Sequence, residues 1–361
     1  MRPGAPPVFS ALALARTLCV PDAGEAFSPI GGPGALVLDL DASADERTPL
    51  PLPVAAIRAE LARLPCVTIA LGRAPAEHDL AALAADCDVH LEQRDALEPF
   101  LSAFAKTPVA ALAFVQLLRG FSPARSIEDG LVAESFVYST LQSGREFRDW
   151  KAARTGKHRR PAPESGPACL LGRDGATLEI RLNRPARHNA FSRALRDALS
   201  EGLVVALADP SIEQVVLRGE GESFCSGGDL DEFGSFPDPA AAHAIRTTRS
   251  PARLIARLAG RIRSEIHGAC IGAGIELPAF TDRIVADEDT FIELPEVRLG
   301  LVPGAGGTVS IARRIGRQRT AWLGLSGRRI DAQTALDWGL VDEVRLRQHR
   351  PTREQGTNAR E

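Results

Sequence analysis

The sequence predicts an α/β fold in two parts: a smaller α/β and helical region first, then a larger α/β core. Three observations carry this. Strand-like and helix-like patterns alternate from Ala35 to Glu92, the periodicity turns purely helical from Ala96 to Arg154, and alternation returns from Leu178 to Val344. Between the second and third stretches lies ARTGKHRRPAPESGPA (153–168), where prolines, glycines and basic residues occur without hydrophobic periodicity. The expected organisation is therefore a loose lead-in over 1–34, an α/β and helical domain over 35–155, a linker over 156–168, a core over 169–345 and a disordered tail over 346–361.

Taken in order, the lead-in is rich in Pro, Gly and Ala, with two turns of helix available at Ala11–Leu18. ALVLDLD (35–41) alternates at period two, Val54–Leu64 is helical, PCVTIALG (65–72) reads as a buried strand, His78–Ala85 is helical and CDVHLE (87–92) alternates again. Four helices follow at Ala96–Ala105, Val109–Arg119, Ser126–Gln142 and Arg145–Arg154, with Ser126 an N-cap. The cluster Lys157–Arg160 reads as a charged tether. Beyond it come a strand at Leu178–Asn183, a helix at Ser192–Ala208, strands at Gln214–Gly219 and Arg261–His267, a helix at Gly274–Phe280 and a strand at Arg283–Ala286. Helices at Gly304–Arg314, Thr320–Leu325 and Ala332–Trp338, then LVDEV (340–344), close the pattern.

Composition narrows the function. The formal charge of −3 gives no basic field for nucleic acid or anionic lipid, and the longest apolar run, Val109–Leu118, is too short to span a bilayer. Pro3, Pro6, Pro7 and Arg16 disfavour reading Phe9–Ala15 as the core of a secretory signal. Six scattered cysteines without a CxxC pair point to reduced thiols, a cytoplasmic setting and no structural zinc or other metal.

The chemistry concentrates in Glu265–Val297. Gly272, Ala273 and Gly274 run directly into an apolar segment carrying Glu276, and a second strand-like stretch ends in Pro295-Glu296; upstream lies the loop Phe224-Cys225-Ser226-Gly227-Gly228-Asp229. Turns of small residues let backbone N–H groups approach a ligand closely, and two converging turns make an oxyanion hole. Glu276 in an apolar setting is costly without a function or a partner. One of Glu293 and Glu296 could be a surface charge at a strand end, and Asp229 suits a loop cap. His188 and His267 lack metal-ligand spacing, Cys225 and Cys270 have no paired His–Asp, and GAGG (304–307) lacks the Lys-Ser/Thr of a phosphate loop and reads as a tight helix start.

Five stretches in order, LNRPARHNAF (182–191), GEGESFCSGGDL (219–230), IHGACIGAGIELP (266–278), FIELPEVRLGLVPGAGGT (291–308) and GRRIDAQTALDWGLVDEV (327–344), resemble the crotonase, or enoyl-CoA hydratase/isomerase, superfamily. The resemblance implies a spiral ββα core in the C-terminal half. It implies oxyanion-hole amides at Gly228 and Ala273 and a working carboxylate pair at Glu276 and Glu296. It places Arg187, Asn189 and Ala190 at the nucleotide end of coenzyme A, with Ser226, Gly227, Asp229 and Gly272 forming the surrounding substrate loops. The implied activity is hydration of a 2-enoyl-CoA, with isomerase, hydrolase, lyase, cofactor-independent arylacetyl-CoA dioxygenase or a non-catalytic acyl-CoA-binding scaffold as alternatives. The thioester is substrate, no separate cofactor is implied, and a homo-oligomer, trimer or hexamer, is. Leu323, Leu325 and Leu336 could be core or trimer surface, and Phe233–Leu254, where the acyl pocket should lie, matches no pattern. The family's C-terminal helices have no counterpart after Val344, whereas residues 126–154 are similar to them. The N-terminal half thus reads as a degenerate crotonase unit whose helices complete the core.

Overall fold

The computed structural model describes residues 5–44, 48–73, 78–154, 166–235 and 238–347. The first part contains β1 (Val8–Phe9), α1 (Ala11–Leu18), β2 (Ala35–Asp39), α2 (Leu40–Ala44), α3 (Val54–Leu61), β3 (Val67–Leu71), α4 (His78–Asp86) and β4 (Val89–Leu91). Its sheet is parallel in the order β1-β2-β3-β4. The stretch expected to be a loose lead-in is part of it: β1 pairs with β2, and α1 buries Leu14 completely under a Ser10 cap. The alternation in ALVLDLD also has a different cause from a half-solvated strand. Val37 and Ile69 face one apolar cluster and Leu36 and Leu38 another, so both faces of β2 are buried, as parallel sheets require.

Four helices follow, α5 (Leu97–Phe104), α6 (Pro108–Arg119), α7 (Ile127–Gln142) and α8 (Arg145–Arg154). Pro108 occupies the first turn of α6, where its missing N–H costs nothing, and Ser126 caps α7 through the Asp129 N–H. The linker expected over 156–168 falls mostly on residues outside those described, as do Lys157–Arg160 and the tail from 348; Ala168 is already buried.

The second part runs β5 (Cys169–Asp174), β6 (Thr177–Leu182), α9 (Arg193–Ala208), β7 (Gln214–Gly219), α10 (Pro239–Thr248), α11 (Pro251–Arg257), β8 (Ile262–Ile266), β9 (Ala269–Ile271), α12 (Ala273–Glu276), β10 (Arg283–Asp287), β11 (Phe291–Glu293), α13 (Gly307–Ser326, broken at Gly316), β12 (Ile330–Asp331), α14 (Ala332–Trp338) and β13 (Glu343–Arg345). A six-stranded sheet, β13-β10-β8-β7-β6-β5, is parallel except for the β5–β6 hairpin, and β12-β11-β9 forms a small second sheet. Two successive turns of the chain put one strand in the large sheet and the next in the small one: β8 then β9 then α12, β10 then β11 then α13. This is the ββα spiral. The N-terminal sheet shares the sequential parallel order, but among the described residues no small second sheet accompanies it.

The two parts share a core. Phe100, Phe114, Tyr138 and Phe147 pack in one cluster with Val297, Leu301, Val302, Ala312, Ala321 and Leu325. Leu323 and Leu325 are fully buried and belong to the interior, whereas Leu336 is partly buried against the core of the second part. Polar contacts add register: Gln318 donates to the carbonyls of Ala84 and Cys87 at the end of α4, each at 2.9 Å. Close approach is specified too. A Cβ on Gly304 would lie 2.6 Å from the Tyr138 ring, so α7 can reach the start of α13 only over a glycine.

Candidate active site

Two turns in the core bring backbone N–H groups to one cavity. The loop Phe224–Asp229 is tied down by bridges from Cys225 to Cys270 and from Gly228 to Phe191. After β9, Gly272 swings the chain at φ 50°, ψ −119° into α12. That conformation excludes side chains, and a Cβ there would fall 2.3 Å from Glu296 Oε1. Ala273 then opens α12, so its N–H has no intrahelical acceptor. Among the described residues neither the Gly228 nor the Ala273 N–H donates to a protein group. Both residues line a cavity of about 200 Å³ with Asp229, Glu276 and Glu296.

The two glutamates meet across Gly272. The Cβ position at Gly272 is 2.3 Å from Glu296 Oε1 and 3.7 Å from Glu276 Oε1, so these oxygens are separated by at most the sum of those distances. Glu276 is 2 % exposed, and its Oε2 accepts the N–H of Ala305 at 2.7 Å and of Gly307 at 2.9 Å. Burial raises its proton affinity and those two donors work against the rise. Glu296 is 8 % exposed, and its Oε2 is buried without a hydrogen-bond partner among the described residues. Burial first, then the charge of Glu276, hold it well above the ordinary carboxylate range. Glu293, its rival in the sequence, points instead to Arg298 and to Arg329, the latter at 2.9 Å.

A third carboxylate, Glu134, comes from α7. Its Oε1 accepts the Gly306 N–H at 2.7 Å, and its Oε2 accepts the Thr308 N–H at 2.9 Å and the Thr308 hydroxyl at 2.7 Å. The consecutive amides 305 to 308 at the start of α13 are thus divided alternately between Glu276 and Glu134. GAGG is a helix start filled by two carboxylates, which leaves no room for phosphate. Burial, then the nearby Glu276 charge, raise the proton affinity of Glu134. Sequence reasoning missed this residue. The signal was its place on the buried stripe of α7, at helical spacing from Leu131, Tyr138 and Leu141.

The remaining expected residues divide. Arg187, Asn189, Ala190, Ser226, Gly227 and Gly272 shape the loops but do not line the cavity. The Arg187 guanidinium is held by Asp229 at 3.0 Å and Asp231 at 3.1 Å, so Asp229 is an ion-pair partner that also accepts the Asp231 N–H. Asn189 is fully buried and locks the loop, accepting from the Arg184 N–H and donating to the carbonyls of Glu220 and Ser223. Both hydrogens of its amide are thereby taken within the loop. His188 meets Ser223 and His267 the Gly221 carbonyl. Burial pushes the Cys225 thiol up to about 12 and Cys270 well above its ordinary value, so neither is a thiolate nucleophile. The segment without a sequence pattern supplies Phe233, Ala242, Ile245 and Arg246 to the wall, and α7 adds Tyr138 and Gln142.

Residues 172–349 match the family model described as enoyl-CoA hydratase/isomerase. The 2,3-dehydroadipyl-CoA hydratase of Escherichia coli (strain K12) is 36% identical over 178 residues, covering 48% of this chain and 68% of that protein. The mevalonyl-coenzyme A hydratase SIDH of Beauveria bassiana is 32% identical over 46% of this chain and 62% of its own length, and the mitochondrial enoyl-CoA hydratase of Pongo abelii 31% over 48% and 59%. The chain therefore spans roughly three fifths to two thirds of these relatives, and α7 with Glu134 lies outside the residues that the family model matches. The match to this family model, with 36% identity to a relative covered over 68% of its length, places the chain in the enoyl-CoA hydratase/isomerase family.

Proposed function

We propose that the chain hydrates a 2-enoyl-CoA thioester. The observation that carries this is the meeting of Glu276 and Glu296 in one cavity with the uncommitted N–H groups of Gly228 and Ala273. The thioester oxygen takes those two donors, which hold the negative charge that develops there. Two N–H donors favour the anion of Glu276, suiting it to take a proton from water as the water oxygen bonds to the β-carbon. Glu296, without a donor on Oε2, suits the acid that delivers a proton to the α-carbon. One water is added across the double bond and no electron leaves the system. Six free cysteines, five of them buried, fit the reducing setting expected of a cytoplasmic enzyme.

The test is turnover of trans-2-enoyl-CoA by the full chain, followed by loss of the conjugated thioester absorbance, with the product identified by mass. The expected product gains one water. Glu276→Gln and Glu296→Gln should each lower kcat by about 10²–10⁴-fold with acyl-CoA binding retained. A product of unchanged mass with a moved double bond would replace hydration by isomerisation. Full turnover in either variant would remove that residue from the mechanism.

A further inference from the structure

Arg246 is a cation in the cavity wall with no ion-pair partner among the described residues. It lines the same cavity as Gly228, Ala273, Glu276 and Glu296. Its Nε donates to Ser135 Oγ at 3.1 Å, and its Nη2 to the Ser135 carbonyl at 3.3 Å and to Ser139 Oγ. Its Nη1 has one long contact, 3.5 Å, to Gln142 Oε1. The guanidinium carbon lies 4.6 Å from the Tyr138 ring centre. Every one of these partners is neutral. Among the described residues no carboxylate forms an ion pair with Arg246, whereas nearby Arg187 and Arg196 are paired with Asp229 and Asp197. Glu134 acts on it electrostatically without contact.

The group is also held in place. Ser139 Oγ donates its proton to the Pro239 carbonyl at 2.8 Å, so it can only accept from Arg246, and Ser135 Oγ is fixed further by His243 Nδ1 at 2.9 Å. A guanidinium fixed by neutral acceptors, with an N–H of Nη1 to spare, is prepared for an anionic oxygen. Space limits what carries that oxygen. A cavity of about 150 Å³ admits benzene, and the one here measures about 200 Å³. A short acyl group fits.

We propose that Arg246 determines specificity by binding a carboxylate at the far end of the acyl group, so that the substrate class is a short acyl-CoA with a second, terminal carboxylate. This rests on the acyl-CoA reading above. Two equal-length trans-2-enoyl-CoA esters, one ending in carboxylate and one in methyl, should be compared with the full chain, alongside Kd values for their saturated counterparts from calorimetry. The expected result is a preference for the carboxylate of about 10²-fold in kcat/KM and in Kd. In Arg246→Met that ratio should fall towards one, and in Arg246→Lys it should be partly kept. A ratio is read only from folded protein, and a merely structural link between α7 and α10 would not change it. Equal hydration of both esters overturns the inference while hydration stands. A Kd preference that vanishes in Arg246→Met without any turnover upholds it and overturns hydration. Failure to bind either ester overturns both.

Discussion

Replacing Glu134 with glutamine tests whether α7 tunes the carboxylates of the core. The two oxygens of Glu134 accept three donors, from Gly306 and Thr308. Glutamine keeps one acceptor and turns an NH₂ towards an N–H, so at least one buried donor is orphaned at a cost of about 1–3 kcal/mol. The opposing term is charge. The proton affinity of Glu134 in the folded chain is raised, by burial and then by Glu276. A carboxyl raised in this way contributes stability that is fully present below its unfolded pKa and is lost as pH rises through its folded value. Within that window, from roughly pH 5 upward through neutrality, one such group gives a slope of about 1.4 kcal/mol per pH unit. Glutamine does not titrate, so Glu134→Gln should flatten the stability profile by about that slope. The variant should be less stable at the acid end, and the gap should close and then reverse towards neutral pH. Urea unfolding midpoints at several pH values measure this directly. Parallel stability profiles in the parent and the variant would refute the coupling.

Two further perturbations bear on how the site is built. Gly272→Ala forces a side chain into a φ 50°, ψ −119° turn and onto Glu296 Oε1. It should cost about 1–3 kcal/mol of stability and, through a displacement of about 1 Å at Glu296, about 10²-fold in kcat; a melting scan and a kcat indistinguishable from the parent would exclude the geometry. Expressing residues 166–361 alone strips Phe114, Tyr138 and Phe147 from the cluster shared with Val297, Leu301 and Leu325. That fragment should lack a cooperative unfolding transition and bind hydrophobic dye, and a soluble, cooperatively folded, active fragment would show that the first half is dispensable.

The spiral core was legible because its period and its turns are local. β7 and α14 stand at the expected bounds, and Gly316 separates the two helices expected on either side of it. What the sequence hid was tertiary. ALVLDLD gives the same period-two pattern whether one face meets solvent or each face meets a different core. The helices α10 and α11 follow Ser and Asp caps, at Asp238 and Ser250, that went unread in a segment with no motif. Gly272, Ala273 and Glu276 could be read as one turn, but nothing local says that Asn189 is consumed by Glu220 and Ser223 and Arg187 by Asp229 and Asp231.

Glu134 shows most clearly why the first half cannot be treated as an appendage. A lone Glu276 on the amides of Ala305 and Gly307 would leave those of Gly306 and Thr308 buried and unanswered at the start of α13. Buried N–H groups demand acceptors, and the acceptor arrives from a helix more than 170 residues upstream, with sequence separations of 172 and 174. The same helix carries Tyr138 and Gln142 into the cavity wall and the serines that hold Arg246. On the function and specificity proposed above, folding of the helical region, ionisation of Glu276 and Glu296 and selection of the acyl group are linked through one face of α7. A change on that face should alter stability, pH dependence and specificity together.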